Sequence, residues 1–127
     1  MSNQSHLNPK LHEGTYVFTS VPIDTDINSL TVVASIHEAE GLTVVLPEQQ
    51  AIQQGFPIQF RCSWITLGME STLESVGLTA AFARALADKS IPCNVVAGTY
   101  HDHLFVPLDR ADDALQCLRE LQTDDNE

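Results

Sequence analysis

Basic residues are scarce in this chain. Its 127 residues hold six Lys and Arg against seventeen Asp and Glu, a net charge of −11. The cations are scattered from Lys10 to Arg119 and form no patch. Nucleic acid and anionic membranes are bound through clustered cations, so neither is expected as a partner. Long apolar runs are missing too, and a bilayer span needs roughly 20 such residues. Met1–Lys10 has no apolar stretch of the kind a secretory signal requires. A soluble, cytoplasmic protein is the expectation. Cysteines are few: Cys62, Cys93 and Cys117 are widely spaced and make no C-x-x-C, which argues against a disulfide framework or a zinc ribbon. Each reads as a small buried hydrophobe. Also absent are a glycine-rich phosphate loop and the G-x-S-x-G context that would activate Ser63, Ser71 or Ser75. No catalytic residue and no cofactor are expected.

What is present is enough apolar material, 43%, for a packed core. Thr15–Ser20 reads as a strand, Leu30–Ile36 as a second, and Leu42–Leu46 as its hairpin partner across the Glu40-Gly41 turn. Pro47 opens a short helix that Gly55 closes. Gln59–Leu67 alternates with Phe60, Cys62, Trp64 and Thr66 on one face. Ser71-Thr72-Leu73-Glu74 fits a capping box, and the helix it predicts runs to Lys89. Its stripe is Leu73, Val76, Ala80, Ala83 and Ala87, widened by Leu78, Phe82, Ala85 and Leu86, which predicts cover on more than one side. Ile91–Gly98 and His103–Pro107 form a hairpin. Asp109 begins the last helix, with Asp112 and Asp113 suited to its first turn.

The halves echo each other. Val32-Val33-Ala34 and Val95-Val96-Ala97 lie sixty-three residues apart, each followed by a turn, an arm and a helix. The halves read as β-ββα and βαββα, which points to an internal duplication. That order predicts an α+β, ferredoxin-like fold, with helices on one face of an antiparallel sheet. The expected domains are an incomplete unit over residues 1–57, a full one over 58–122, and an acidic tail over 123–127.

Three strings then resemble a known family: Ser71 to Phe82 (STLESVGLTAAF), Ile91 to Gly98 (IPCNVVAG) and His101 to Pro107 (HDHLFVP). With Glu38-Ala39-Glu40-Gly41-Leu42-Thr43 they look like the small stand-alone bacterial ACT-domain proteins. The resemblance covers about Asn8 to Leu121. It implies tandem ACT-like units related to the regulatory domains of aspartate kinase, a small-molecule ligand, most readily an amino acid, and no catalysis. By position it implies a ligand loop at Gly68, Met69, Glu70, Ser71 and Thr72, facing Asn94 and Val95. Glu70 stands where many ACT domains have Asp. A homodimer with ligand bound at an interface of units is the corresponding expectation.

Two other readings rest on the residues themselves. On a strand, His101 and His103 share a face and can ligate a metal, with Asp102 opposite and His37 or Glu38 from the first hairpin as further ligands. That would make a metal-binding protein or an enzyme. His37-Glu38 is not part of H-E-x-x-H, because position 41 is glycine. The third reading is a ligand-free interaction module. Asn94, beside an apolar run, needs a partner if buried, since an unsatisfied amide costs about 1–3 kcal/mol. Trp64 and Tyr100 read as packing residues.

Overall fold

The computed structural model describes residues 7–69 and 77–123. Its strands are β1 (Pro9–Leu11), β2 (Tyr16–Val21), β3 (Ala34–Glu38), β4 (Gly41–Pro47), β5 (Phe60–Leu67), β6 (Asn94–Ala97) and β7 (Asp102–Pro107). Its α-helices are α1 (Glu48–Gln54), α2 (Leu78–Asp88) and α3 (Ala111–Thr123), the last preceded by a 3-10 turn at Leu108–Arg110. The architecture is α+β. The chain divides into two compact units, one of Gly14–Cys62 and one combining the residues up to Glu13 with those from Ser63 onward.

In the Gly14–Cys62 unit the strand order is β3-β4-β2 and then the start of β5, with antiparallel pairing throughout. Strand alternation sends Val17 and Val21 of β2, and Leu42, Val44 and Leu46 of β4, to one face, where they pack with Ala51 of α1. The predicted second strand begins later than the sequence suggested, at Ala34. Leu30 and Val32 instead pack against this core, and a turn bond from the Leu30 amide to the Ile27 carbonyl (3.1 Å) keeps that stretch out of the ladder. Helix α1 follows Pro47 as expected and ends at Gly55, which is left-handed at φ 72. A Cβ at Gly55 would meet nothing within 4 Å. Gly55→Ala therefore isolates the backbone penalty: stability in urea should fall by about 1–2 kcal/mol. Unchanged stability would show that the helix end relaxes.

In the other unit the order is β1-β5-β7-β6. Ile65 and Leu67 of β5, and Leu104 and Val106 of β7, face a core completed by Phe82 and Leu86 of α2 and by Ala114, Leu115 and Leu118 of α3. Leu7 is part of that core at 1% exposure. Strand β1 was not foreseen. Its neighbourhood looks polar in sequence, with only Leu7 and Leu11 to suggest order. Helix α2 also differs from expectation. It starts at Leu78, after Gly77 at φ 93, a left-handed residue that a continuous right-handed helix cannot include. The proposed cap at Ser71 and the stripe residues Leu73 and Val76 lie outside the described residues. Ala80 and Ala87 are exposed, and the buried positions are Phe82 and Leu86. Among the described residues α2 is thus buried along one face rather than on several. The larger side chains took the core positions that the alanine stripe had been given.

The duplication holds in the order of elements but not at the matching triplets. Ala34 pairs with Val45, far from its turn, whereas Ala97 pairs with Asp102 beside its turn. The equivalent positions are sixty residues apart. Leu42–Pro47 and Asp102–Pro107 share one burial sequence, in which only the second and last residues are not fully buried. Pro47 and Pro107 share one conformation, φ/ψ −59/139 and −56/147, immediately before a helical turn. Ala51 and Ala111 are both buried.

Candidate functional site

The alternation that sends Ile65 and Leu67 inward puts Trp64 and Thr66 on the opposite face of β5. His103 and Phe105 follow the same rule on β7. Val96 lies opposite His103, and Asn94 opposite Phe105. On β1, Lys10 lies opposite Thr66, and the next step of the chain carries the His12 amide to the Trp64 carbonyl at 2.9 Å. One face thus collects two imidazoles, an indole, a phenyl ring and a hydroxyl. The His12 ring stacks on Trp64 with centroids 3.5 Å apart and planes 9° from parallel. Trp64 in turn lies 6.5 Å from Phe105 and 5.9 Å from His103.

Hydrogen bonding fixes the protonation of this group. The Trp64 Nε1–H donates to His103 Nδ1 at 3.1 Å. An indole N–H only donates, so Nδ1 is the acceptor and the neutral ring carries its proton on Nε2. Thr66 Oγ1 lies 3.0 Å from the same Nδ1 and 2.8 Å from His12 Nε2, linking the two imidazoles. Burial holds His103 below the usual histidine value, helped by His101 and opposed by Asp102. Burial also lowers His12, with Lys10 and His103 adding to it.

The other end of β5 runs into the expected ligand loop. The Gly68 amide donates to the Asn8 carbonyl at 2.9 Å, and the Met69 amide to the Leu7 carbonyl at 3.1 Å. A Cβ on Gly68 would come within 3.0 Å of the Asn8 oxygen, so the close approach needs glycine. His101 Nδ1 donates to the Met69 carbonyl at 3.3 Å. Gly68 and Met69 are therefore held between the N-terminal segment and the β6–β7 hairpin. Glu70, Ser71 and Thr72 lie outside the described residues.

Asp102 follows immediately. It opens β7 opposite Ala97 and alternates to the same side as Leu104 and Val106, where it is only 6% exposed. Its carboxylate acts electrostatically on His103, the next residue of the strand.

Asn94 is exposed, which removes the need for a buried partner, and Val95 is half-buried against the core. Tyr100 is 70% exposed and is not a packing residue. His37 is exposed on β3, opposite Leu42. His103 shares its Nδ1 with Trp64 and Thr66, while His101 turns to a backbone carbonyl. Among the described residues no group of three or more His, Cys, Asp or Glu is placed to hold a metal ion. Cys62 and Cys117 are buried and Cys93 is half-buried. Burial pushes the Cys62 thiol up to about 12 and the Cys93 thiol up to about 11, which suits inert core residues. The sequence reading missed His12, whose contact with Thr66 spans 54 residues.

Two ACT-domain family models match this chain, one over residues 4–63 and the other over residues 59–120. The chain belongs to the ACT-domain family. Its tandem ACT domains are similar to a crystallised protein of unknown function from Vibrio cholerae, described as a possible transport protein. The two are 46% identical, with a TM-score of 0.84 over 91% of this chain and 89% of that one. The ligand-free regulatory subunit of aspartate kinase from Thermus thermophilus has the same fold at 9% identity, with a TM-score of 0.68 over 92% of this chain and 97% of that one. So does E. coli aspartokinase III in complex with aspartate and ADP, at 9% identity and a TM-score of 0.69, covering 94% of this chain and 34% of that one. No curated protein matches the tandem ACT chain. No helix among its described residues is long and apolar enough to cross a membrane.

Proposed function

We propose that this chain is a ligand-binding regulatory module that senses an amino acid, acts as a cytoplasmic homodimer and performs no chemistry of its own. The observation that carries the ligand reading is Asp102. Burying a carboxylate is costly unless it is paired. Asp102 is 6% exposed at the start of β7, and the reading assigns its carboxylate a cation from outside. An amino acid supplies an ammonium for Asp102. The site lies where β7 begins and β5 ends, beside Gly68 and Met69, and by sequence beside Glu70, Ser71 and Thr72. Asn94 lies on the opposite face of the sheet and is left out of it. The excess of acidic residues favours approach of a ligand with a cationic group. The occurrence of this fold in regulatory subunits of aspartate kinase supports the regulatory half of the reading.

A thermal-shift screen of the purified chain against the twenty amino acids, common nucleotides and divalent metals tests it. A ligand at 100 times its dissociation constant stabilises by about 2.7 kcal/mol, a rise of several degrees in Tm for a chain of this size. One amino acid, or a few related ones, should give that rise. A response to metal ions alone, or to nothing, contradicts the proposal.

A further inference from the structure

We propose that His12, Thr66, His103 and Trp64 form a proton-operated latch that holds β1 on β5 while both imidazoles are neutral and releases it on acidification. The latched strand is short. Residues Pro9–Leu11 pair with Ile65–Leu67, and three backbone bonds extend the contact, from the His12 amide to Trp64, the Gly68 amide to Asn8 and the Met69 amide to Leu7. A segment of this length opens locally at a lower cost than the whole unit. Leu7 anchors the segment in the core, and the His12 ring, stacked on Trp64 and bonded to Thr66, holds its other end.

The network has room for only so many protons. Trp64 Nε1–H needs His103 Nδ1 as an acceptor, and the single hydroxyl proton of Thr66 serves either His103 or His12. A proton on His103 Nδ1 would set N–H against N–H across the 3.1 Å contact and leave the indole unpaired. A further proton on His12 would place two cations on either side of one hydroxyl. The charged groups around them are Lys10 on β1, which adds to the repulsion, and His101 and Asp102 on the hairpin, of which only Asp102 opposes it. Strand β5 contributes uncharged Trp64 and Thr66, and β6 contributes Val96 opposite His103. Departure of β1 carries off His12 and Lys10 and opens His103 to water.

The sign follows. In the open state both histidines titrate near the free value of about 6.5, and in the latched state they titrate lower. Protons therefore bind the open state first. The latch is fully effective above about pH 6.5 and weakens as pH falls through the lowered values. The opening constant rises by up to about tenfold per pH unit for each proton taken up.

Hydrogen-exchange mass spectrometry of the full chain at pH 7.5 and 5.5, corrected for intrinsic exchange, tests this. Amides of residues 7–12 and 64–69 should lose protection about tenfold or more at pH 5.5, with α3 amides unchanged. A double variant, His12→Phe with His103→Gln, keeps a stacking ring and an acceptor but cannot titrate, so its protection should not depend on pH. If that variant fails to fold, emission of Trp64, the single tryptophan, should follow the same transition in the wild type, with a midpoint below 6.5. Equal protection at both pH values, a loss spread over α3, or pH dependence that persists in the double variant would overturn the latch.

Discussion

Phe82→Ala should cost about 3–5 kcal/mol of stability, among the largest effects expected of a single truncation at the described residues. Phe82 is fully buried on α2 and belongs to the core that Leu7, Ile65, Leu67, Leu86, Leu104 and Leu118 complete. Removing its ring forfeits the transfer energy of the phenyl group and leaves a cavity that surrounding strands cannot close, because β5 and β7 are fixed by their ladders. A domain of this size has about 5–15 kcal/mol in all, so the variant should sit close to unfolding at 37 °C. Urea denaturation measures the loss. Ala80→Gly, on the exposed side of the same helix, is the control, and it should cost no more than about 1 kcal/mol. Comparable losses at the two positions would show that the alanine stripe, not the Phe82–Leu86 face, is the buried one.

Asp102→Asn should reduce amino-acid affinity by roughly 30-fold to several thousand-fold, since breaking one partner of a buried charge pair costs about 2–5 kcal/mol. The same change should leave the ligand-free protein at least as stable as the wild type, because it removes a charge from a nearly buried position at almost unchanged shape. That opposite pair of effects separates a ligand-binding carboxylate from a structural one. If Asp102→Asn instead unfolds the chain or lowers its Tm by many degrees, the carboxylate is holding the hairpin together rather than waiting for a ligand. Calorimetric titration and a melting curve on one preparation give both numbers.

Much of this fold could be read from sequence because its cues were local. The Pro47 start and Gly55 stop of α1, the alternation along β5 and the hairpin at Glu40-Gly41 each depend on neighbouring residues, and each stands in the structure. What failed depends on distance. Strand β1 exists because Pro9–Leu11 meets Ile65–Leu67, a pairing that three ordinary residues cannot announce. The Val-Val-Ala triplets misplaced the repeat because an apolar triplet fits any strand. The two prolines that end β4 and β7 were the better markers, since proline confines φ and so repeats a conformation as well as a composition. At the site, His101, Asp102 and His103 stood out as a group but act separately. Strand alternation sends Asp102 into the interior and His103 to the aromatic face, and His101, before the strand begins, turns to the Met69 carbonyl.

The most direct test of the central claim is calorimetric titration of the wild-type chain with the amino acid selected by thermal shift and with its hydroxy-acid counterpart, identical except that hydroxyl replaces ammonium. An ammonium seated on Asp102 predicts binding of the amino acid and a loss of about 100-fold or more for the hydroxy acid. Equal affinities for the two would show that the carboxylate of Asp102 does not read the amine, and the absence of binding by every amino acid would remove the sensor altogether.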